Sequence, residues 1–551
     1  MSKSRARKIV AGDCETDPFV NGRVPKPFIW GTFDGEEMLY FQSAAELVSH
    51  WRDKHATVYF HNGGRYDFHL GILQDITEDT RALIINGRVV ELKIGDAIFR
   101  DSYAIIPVAL EAYKKTKTEY WKFEAAIRAD HMPEILAYLR DDCVNLHELV
   151  SAYCAAAGNK STIASNALAF CRKRGTDPGR TNSRFDAHFR EFYFGGRVED
   201  FLPGHHKQLN CFDIKSSYPF AMVHDHATGS EFITDDTLSG YSDDDIRRAF
   251  IELHCFSEGA FPLQGRHGQL TFPHAFGTYK VTGWEYMTAK KHGLIKGERI
   301  IRAHFFADTI TFRDYVEHWF DHKQEAERRG DAAQRIVGKI MMNSLYGKLA
   351  QNPRKYKDYV IRPLGTPVDY EQGWNLEYEF EGREVHARPT LWKYTRDRDG
   401  NERPAEYVEE RPIFFNVATG ASVTGFARAH LLDAIHTVGA RSIAYCDTDC
   451  VFVTPSGDTL GLRQDGALGS WQWEGLAAPA YIAGKKLYAM KMINGPSSGK
   501  EKIASKGARL TFADIKRLTE GETITWNNDA PSFSLARKPI FVRRKIRATS
   551  R

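Results

Sequence analysis

The sequence predicts a multidomain protein in which α/β and α+β units follow one another along the chain. Its 551 residues suffice for about three or four domains of roughly 150 residues each. Strand-like runs that end in acidic residues occur in the first, middle and last parts of the chain, and a basic helical hairpin lies among them. These acidic strand ends and the basic helix are the candidate functional elements.

Composition excludes several classes of protein. Hydrophobic residues make up 42% of the chain and charged residues 26%, as in soluble globular proteins. No apolar run approaches the ~20 residues that a membrane span needs, so we expect no membrane partner. The eight cysteines contain no C-x-x-C pair, which argues against a disulfide framework or a zinc module and favours a reducing, cytoplasmic setting. Net charge is only +4, but local basic clusters suit a polyanion.

Near the end of the chain, Asp447 and Asp449 lie in a short polar turn between two β-rich runs, a pattern typical of a hairpin. Alternating side chains would place both carboxylates on one side of its tip. Carboxylates this close repel each other unless a cation lies between them, and oxygen ligands favour Mg²⁺ or Mn²⁺. The alternative is a solvated turn, in which aspartate is common.

The first third of the chain supplies four further carboxylates. Asp13 and Glu15 share a face at the end of a strand, and glycines after the next strand allow a turn that delivers Asp67. A helix predicted from Pro133 to Val150 carries Asp142. Such a set meets the needs of a two-metal site that cleaves phosphodiesters. Taken singly, each acid is more typical of a helix cap or a surface charge.

The middle of the chain contains a connector at 151–190, followed by Tyr193-Phe194-Gly195-Gly196. The paired glycines suit either a tight turn or the close approach of a partner such as phosphate. Asp213 then ends a predicted strand. The sequence to this point does not decide between a metal ligand and a solvated acid.

A helical hairpin is predicted next, with helices Thr311–Arg329 and Asp331–Ala350 separated by Gly330. The second helix carries a polar stripe with an aromatic residue at its end, formed by Arg335, Lys339, Asn343 and Tyr346. Cations along such a line suit a triphosphate, and a flat ring suits a base. The alternative is a solvated basic face.

In its first third, the chain resembles the DnaQ-like 3′–5′ proofreading exonucleases, which have an RNase H-like fold. The resemblance rests on Asp13-x-Glu15, Asn62-x-x-x-Tyr66-Asp67 and Tyr138-x-x-x-Asp142, in that order. It implies that Asp13, Glu15, Asp67 and Asp142 hold metal ions and that Tyr138 orients the attacking water. It further implies that Thr16, Asn62 and Tyr66 contact a single-stranded 3′ end, and that Lys115 assists cleavage, with Lys117 as a competing candidate.

The rest of the chain resembles family B DNA polymerases, which have a right-hand architecture of palm, fingers and thumb. Asp213-x-x-Ser216-Ser217-Tyr218-Pro219, Lys339-x-x-x-Asn343-Ser344-x-Tyr346-Gly347 and Asp447-Thr448-Asp449 correspond to its motifs A, B and C. The resemblance implies metal ligation by the three aspartates. It implies nucleotide binding by Ser216, Ser217, Tyr218, Arg335, Lys339, Asn343 and Tyr346, with catalysis assisted by Lys339. It implies DNA binding by Tyr193, Gly195, Gly196, Lys486, Tyr488 and Lys506.

The chain is identified in this way as a member of the protein-primed family B polymerases of bacteriophages, in a tectivirus-like branch. That resemblance implies template and primer DNA, dNTPs and a terminal priming protein as partners, and two Mg²⁺ or Mn²⁺ ions per active site. It implies a monomer or a heterodimer with the terminal protein, in the cytoplasm of a bacterial host. The alternatives are a DNA-primed family B polymerase and a nuclease or DNA-binding scaffold whose polymerase half is inert.

The same resemblance implies a division into domains. The expected ranges are the exonuclease at 1–152, the first part of the palm at 153–224, an insertion contacting the terminal protein at 225–310, the fingers at 311–350, a second insertion for processivity and strand displacement at 351–412, the second part of the palm at 413–507 and the thumb at 508–551.

Overall fold

The computed structural model describes residues 6–266, 268–370, 373–390, 392–396, 402–407 and 413–548. Parts of the predicted second insertion, at 371–372, 391, 397–401 and 408–412, lie outside the described residues, as do 549–551 of the predicted thumb. Within the described ranges, no helix combines the length and apolarity that crossing a bilayer requires.

The N-terminal unit is a twisted mixed sheet covered by helices. Its elements are β1 (Lys8–Thr16), β2 (Pro27–Phe33), β3 (Met38–Phe41), α1 (Ala44–Trp51), β4 (Ala56–Phe60), α2 (Asp67–Leu70), β5 (Thr80–Ile85), β6 (Arg88–Ile94), β7 (Ala97–Asp101) and α3 (Met132–Ala157). Strands β1, β4 and β7 run parallel at its centre, and the outer strands pair antiparallel. The carboxyl ends of the parallel strands therefore meet at one edge of the sheet.

Helix α3 is longer than the sequence pattern predicted, because its apolar face continues beyond Val150. Its first half packs on β1 and β2 through Ile135, Leu139 and Cys143. Its second half packs on a later pair of helices, where the Tyr153 hydroxyl lies 3.7 Å from the sulfur of Met341. One helix thus shares its packing between the N-terminal unit and the centre of the chain.

The central part of the chain begins with two short helices and a return to β structure. Its elements are α4 (Ile163–Lys173), α5 (Ser183–Phe189), β8 (Val198–Glu199), β9 (Gly204–His206), β10 (Leu209–Ile214), α6 (Ser217–Met222), β11 (His226–Asp235), α7 (Asp243–Arg248), β12 (Phe250–Glu258), β13 (Leu263–Gln264), β14 (Leu270–Thr271), β15 (His274–Thr282), α8 (Gly283–Lys291), β16 (Ile295–Ile310), α9 (Arg313–Arg328), α10 (Ala332–Met342) and α11 (Leu345–Leu349).

The last part of the chain supplies most of a second large sheet. Its elements are β17 (Lys357–Pro363), β18 (Asn375–Phe380), β19 (Arg383–Pro389), β20 (Trp392–Arg396), β21 (Glu402–Tyr407), α12 (Val417–Val438), β22 (Ile443–Asp447), β23 (Cys450–Val453), β24 (Trp471–Gly484), β25 (Leu487–Asn494), β26 (Glu501–Ser505), α13 (Phe512–Thr519), β27 (Ile524–Asn527), β28 (Ser532–Ser534), β29 (Arg537–Ile540) and β30 (Arg543–Ile546).

The second large sheet brings distant parts of the sequence together. Its strand order is β26-β25-β24-β10-β23-β22-β8, with β9 also paired to β24. Helix α12 covers one face, where Leu431, Ile435 and Val438 pack on apolar residues of β10, β22 and β23. A four-stranded sheet in the order β11-β16-β12-β15 lies on the other side of α12, against Leu432. Helix α12 is therefore buried along most of its length.

The helical hairpin differs from the prediction in its second arm. Gly330 separates the arms with a φ of +71°, as expected, but the second helix ends at Met342 rather than Ala350. The Asn343 side chain donates a hydrogen bond to the carbonyl of Lys339 at 2.8 Å. A side chain that bonds the preceding turn competes with continued helical hydrogen bonding, and the chain restarts as the short helix α11 at Leu345.

Strands β17, β18 and β19 extend the N-terminal sheet. The full order is β18-β19-β17-β5-β6-β7-β4-β1-β2-β3. Tyr359 pairs with Ala82, and Ile361 and Val385 are buried in the same apolar cluster as Phe60 and Phe99. The first half of the segment expected to be a second insertion is thus continuous with the N-terminal core. The pairing of β17 with β5 spans almost 280 residues, and no local sequence pattern indicates it.

This pairing predicts that Ile361→Ala destabilises strand β5. Removing a fully buried isoleucine side chain typically costs about 2–5 kcal/mol, and the lost packing lies in the N-terminal core. Hydrogen–deuterium exchange at residues 80–85 should accelerate, whereas Leu376→Ala on the exposed side of β18 should leave it unchanged. Unchanged exchange of β5 in the Ile361 variant would show that β17 is not an integral strand of this sheet.

Candidate functional site

The structure brings the four predicted N-terminal carboxylates to one edge of the first sheet. Asp13 and Glu15 lie at the end of β1, next to the end of the parallel strand β4. The loop after β4 carries the chain to Asp67 at the start of α2, and Asp142 projects from α3. Gly64 permits this loop, because a Cβ there would lie 1.9 Å from the carbonyl oxygen of Val89.

Mutual repulsion and burial dominate the electrostatics of this cluster. Burial raises the pKa of Glu15 to about 8, and the charge of Asp142 adds to the effect. Burial likewise raises the pKa of Asp67 to about 6. It raises the pKa of Asp13 well above its ordinary value, and repulsion by the charge of Asp67 raises it further. The cluster is therefore short of positive charge in the protein alone.

Lys115 is the basic residue that lies against these acids. Its Nζ lies 3.6 Å from a carboxylate oxygen of Asp142 and 5.8 Å from the centre of the Tyr138 ring. Burial opposes its charge, but attraction to Asp142 leaves its pKa raised. Thr116, the residue after it, donates to Asp141, so the segment is anchored to α3. The structure thus places Lys115 at the acids, whereas the competing candidate Lys117 lines a neighbouring cavity together with Tyr138 and Asp141.

The residues predicted to contact a single-stranded end lie beside the acids. The hydroxyls of Thr16 and Tyr66 share a 2.9 Å hydrogen bond, and Phe19 packs on the Tyr66 ring at 5.6 Å between centroids. Asn62 is exposed at the mouth of the loop, with a φ of +64°. Tyr138 is largely buried, and its hydroxyl lies 3.3 Å from that of Tyr120.

One contact to this group was not foreseen from the sequence. Phe533, on β28 near the C-terminus, is buried against the rings of Tyr66 and His69, at 5.8 and 5.6 Å between centroids. Nothing in the local sequence around Phe533 distinguishes it from an ordinary strand residue. The contact arises only because the C-terminal hairpin reaches the N-terminal sheet.

The second group of carboxylates lies in the centre of the second sheet. Strands β22 and β23 form the predicted hairpin, with Thr448 in the left-handed region at a φ of +59°. Strand β10 pairs antiparallel with β23 and places Asp213 directly across from Cys450. The amide of Ile214 donates to the Asp449 carbonyl at 2.7 Å. Asp213 and Asp449 are therefore neighbours despite the 235 intervening positions.

Asp213 and Asp449 share the charge deficit of this group. Burial raises the pKa of Asp213 to about 7, and Asp449 adds repulsion. Burial also raises the pKa of Asp449, and repulsion by the charge of Asp447 raises it further. A lysine–glutamate pair that sequence reasoning missed lies alongside, where Lys502 Nζ donates to Glu474 Oε2 at 2.5 Å. The pair forms because β24 and β26 both pair with β25, a register that the local sequence does not indicate.

Asp447 has a cation of its own. Lys486 donates to both of its carboxylate oxygens, at 2.8 and 2.7 Å. Lys506 is exposed in the adjoining turn, and its amide donates to the Lys486 carbonyl. Tyr488 is different, because its ring is buried between Tyr445 and Phe452. The structure thus places Lys486 at the acids and Tyr488 in the core beneath them.

The Tyr193-Phe194-Gly195-Gly196 loop packs on the acidic hairpin. A Cβ at Gly196 would lie 2.5 Å from Thr448 Oγ1, whereas a Cβ at Gly195 would meet nothing within 4 Å. Arg428 on α12 is buried and donates to the carbonyls of Phe194 and Gly195. The close neighbour of the second glycine is therefore the turn of the acidic hairpin.

The predicted nucleotide-binding residues surround the same acids. The rings of Tyr218 and Tyr346 stack with centroids 3.9 Å apart and planes within 11°. Ser216 has a φ of +57°, and Ser217 has a buried hydroxyl without a hydrogen-bond partner. The basic stripe survives the early end of α10, since its three polar members, Arg335, Lys339 and Asn343, are exposed.

Both acidic groups offer the kind of ligand that a hard divalent cation binds, and the first group also has unpartnered oxygens. Glu15 Oε1 and Asp142 Oδ1 are buried and lack any hydrogen-bond partner, an arrangement that costs free energy unless a cation or a donor arrives. All donors are carboxylate oxygens, which suit Mg²⁺ or Mn²⁺. Within the described part of the chain, no group of three or more His, Cys, Asp or Glu side chains is arranged so that it could hold a metal ion.

Comparisons with known proteins agree with this picture. A family model described as DNA polymerase type B, organellar and viral, matches residues 110–399. The DNA-directed DNA polymerase of Enterobacteria phage PRD1 is 35% identical, with 98% of each chain covered. A probable DNA polymerase of Agaricus bitorquis is 22% identical over 72% of this chain and 53% of its own length. The structure of Phi29 DNA polymerase with primer-template DNA is similar with a TM-score of 0.74 at 18% identity, covering 98% of this chain and all of that one.

The raised pKa values predict how stability depends on pH when divalent cations are removed. In EDTA, the melting temperature should fall as pH rises from 6 to 8. The folded-state pKa values of Glu15 and Asp67, about 8 and about 6, exceed the ordinary 4.5 and 3.8. The folded state therefore holds protons that the unfolded chain has released, and their stabilising effect is lost as pH rises through the folded pKa.

Glu15→Gln should make this fall in melting temperature shallower, and Mg²⁺ should stabilise the variant at pH 8 less than it stabilises the unaltered chain. Glu111→Gln, at an exposed acid, is the matched control and should behave as the unaltered chain. Differential scanning fluorimetry measures both effects. Equal pH slopes for all three proteins would contradict the assignment of the buried charge to Glu15.

Proposed function

The chain belongs to the organellar and viral type B DNA polymerases, and from this we propose that it is a DNA-directed DNA polymerase with a 3′–5′ proofreading exonuclease that begins synthesis on a protein primer. Its fold is that of a multidomain exonuclease followed by palm, fingers and thumb. The observation that carries the proposal is the pairing of β10 with β23, which sets Asp213 beside Asp449. A separate cluster of four acids lies in the N-terminal sheet.

In the polymerase site, Asp213 and Asp449 would hold two Mg²⁺ or Mn²⁺ ions, with Asp447 beside them. When bound, such ions neutralise charge on the reacting phosphate and activate the attacking hydroxyl. The exposed stripe of Arg335 and Lys339 supplies cations for the triphosphate. The stacked rings of Tyr218 and Tyr346 form a flat platform next to the acids, which suits the sugar and base of an incoming nucleotide.

Lys486 has a double role in this proposal. In the protein alone it neutralises Asp447, and its exposed side chain can exchange that partner for a phosphate of the primer end. Lys506, in the adjoining turn, adds a second cation on the same edge of the sheet. Phosphate contacts of this kind fix the position of the nucleic acid without reading its sequence.

In the exonuclease site, Asp13, Glu15, Asp67 and Asp142 would hold a second pair of ions. Removal of a mispaired nucleotide needs a single-stranded 3′ end, for which Tyr66 offers a ring and Thr16 and Asn62 offer hydrogen-bonding groups. Lys115 is positioned by Asp142 to offset negative charge that develops during cleavage. Tyr138, four residues before Asp142 on α3, orients the water that attacks.

The partners follow from the same relationships. Phi29 DNA polymerase has been crystallised with primer-template DNA and incoming nucleotides, and we propose the same substrates for this chain. We further propose a terminal priming protein as its partner, in a heterodimer at initiation and with a monomeric enzyme thereafter. Because the PRD1 relative is a phage enzyme, the expected place of action is the cytoplasm of a bacterial host.

The two acidic clusters should fail independently. Asp449→Ala should reduce template-directed incorporation of dNTPs by roughly 10³-fold or more, because a metal ligand contributes several kcal/mol and each 1.36 kcal/mol is a factor of ten. It should leave degradation of a single-stranded oligonucleotide intact. Asp13→Ala should do the reverse. Primer-extension and exonuclease gels read both activities, and loss of both by either variant would contradict two separate sites.

Protein priming has its own test. With a candidate priming protein, template DNA and a labelled dNTP, the enzyme should form a covalent dNMP–protein adduct that survives denaturing electrophoresis. Asp449→Ala should abolish the adduct, and Asp13→Ala should not. Efficient extension of a DNA primer, with no adduct on the candidate priming protein, would favour a DNA-primed polymerase instead.

A further inference from the structure

The four-stranded sheet β11-β16-β12-β15 has one face that the rest of the protein leaves partly open. Residues Ile251, Leu253 and Cys255 of β12 point into the core against α8 and α12. The alternate residues of β12, at positions 250, 252, 254, 256 and 258, occupy the opposite face. The burial of β12 alternates in the same way.

Only half of this second face is covered. Helix α5 packs over the Phe250 end, where Phe189 lies 5.2 Å from Phe250 and 5.0 Å from Phe306 between ring centroids. The short helix Arg190–Phe192 packs on β15, where Glu191 pairs with Lys280 across from Glu252. Farther along β12, His254, Phe256 and Glu258 remain only partly buried. The aromatic surface nevertheless continues onto this uncovered half.

Phe276 is the centre of the uncovered half. Its ring is 67% exposed, a large value for a phenylalanine in a regular strand. Phe256 lies directly across from it on β12, with ring centroids 5.1 Å apart, and His254 lies 6.4 Å away with its ring within 23° of parallel. Together these three side chains, here called the aromatic platform, present rings to solvent.

A row of cations borders the aromatic platform. Strand β16 pairs with β12 so that Lys296, Arg299 and Arg302 lie beside Phe256, His254 and Glu252 respectively. On the other side, Lys280 lies across from Glu252. Three of these four basic side chains pair with glutamates: Arg302 with Glu252, Lys296 with Glu258 and Lys280 with Glu191. Phosphates would exchange with these carboxylates, and Arg299 forms no ion pair among the described residues.

We propose that this face binds single-stranded DNA, with bases resting on the aromatic platform and phosphates along the cations of β16. Exposed rings on a sheet accept any base by stacking, and a bordering line of cations follows the backbone. The inference rests on the proposed function, which supplies single-stranded template as a natural ligand. It assigns this part of the insertion a role in holding DNA, separate from contact with a priming protein.

The chemistry of the face favours nucleic acid over a protein partner. A protein-docking surface of comparable size is typically apolar at its core and poor in charge, whereas this face interleaves rings with Lys and Arg. The platform is also small, two phenylalanines and a histidine, which matches a few stacked bases. Cations in a row along one strand suit a linear polyanion.

Photo-crosslinking tests the site directly. Full-length protein in EDTA, where neither nuclease nor polymerase chemistry proceeds, is irradiated with a 5-iododeoxyuridine oligonucleotide, and adducts are mapped by mass spectrometry. Adducts are expected on the peptides that contain Phe256 or Phe276. Phe276→Ala should remove them and, in fluorescence anisotropy with the same oligonucleotide, weaken the affinity roughly fivefold or more. Arg299→Glu should weaken it and reduce its dependence on salt.

Two matched controls keep the test specific. Ile233→Ala removes an exposed apolar side chain from the opposite face of the same sheet, and Lys290→Glu reverses a charge on α8, behind that sheet. Neither should change crosslinking or affinity. The proposal is overturned if no adducts map between residues 250 and 282, or if all four variants have equal affinity. A face that binds only a protein would give the same negative result. Primer extension on a short template, retained by Phe276→Ala, shows that such a failure does not come from the polymerase function.

Discussion

Repulsion among buried carboxylates is the constraint on which the rest of this structure depends. Each of the two sheets ends its central strands in acids that the protein alone does not neutralise, as the raised pKa values of Glu15 and Asp213 show. An acid in such a place opposes folding at neutral pH, so the surrounding apolar packing must hold it there. In each cluster, two acids lie together at the end of a strand, and at least one separate element places a further carboxylate beside them. Two similar demands for cations thus arise in separate parts of one chain.

The same packing ties the two clusters into one molecule. Helix α3 carries Asp142 and, about three turns further on, packs through Tyr153 on Met341 of α10. The C-terminal hairpin returns to the first sheet through Phe533, and β17 pairs with β5. Around the second cluster, Arg428 forms a buried ion pair with Glu285 while holding the carbonyls of Phe194 and Gly195. The loop beside the acidic hairpin is therefore held by both α12 and the insertion helix α8.

The sequence was sufficient to predict the features that depend on short-range patterns. The hairpin at Asp447 and Asp449, the strand ending near Asp213 and the turn at Gly330 all occur where alternation, acidic strand ends and glycine predicted them. The family and the fold predicted by resemblance are confirmed. Long-range register was beyond reach, because β17 pairs with a strand almost 280 residues earlier and Glu474 meets Lys502 only through β24 and β26. Helix α10 ends earlier than predicted because the Asn343 side chain forms a hydrogen bond to the preceding turn. Hydrophobic periodicity carries no information about such a bond.

Lys486 pairs with Asp447 in the second cluster, and the raised pKa values of Asp213 and Asp449 mark where that cluster lacks positive charge. Three carboxylates meet at the hairpin, and one lysine from β25's leading turn is close enough to neutralise one of them. Burial raises the pKa of both Asp213 and Asp449, with added repulsion of Asp213 by Asp449 and of Asp449 by Asp447. Lys502 moderates that repulsion but is itself bound to Glu474, so it cannot cancel it. The carboxylates that a cation would stabilise most therefore lie between β10 and the hairpin. This is also where an incoming nucleotide and a primer end would have to meet.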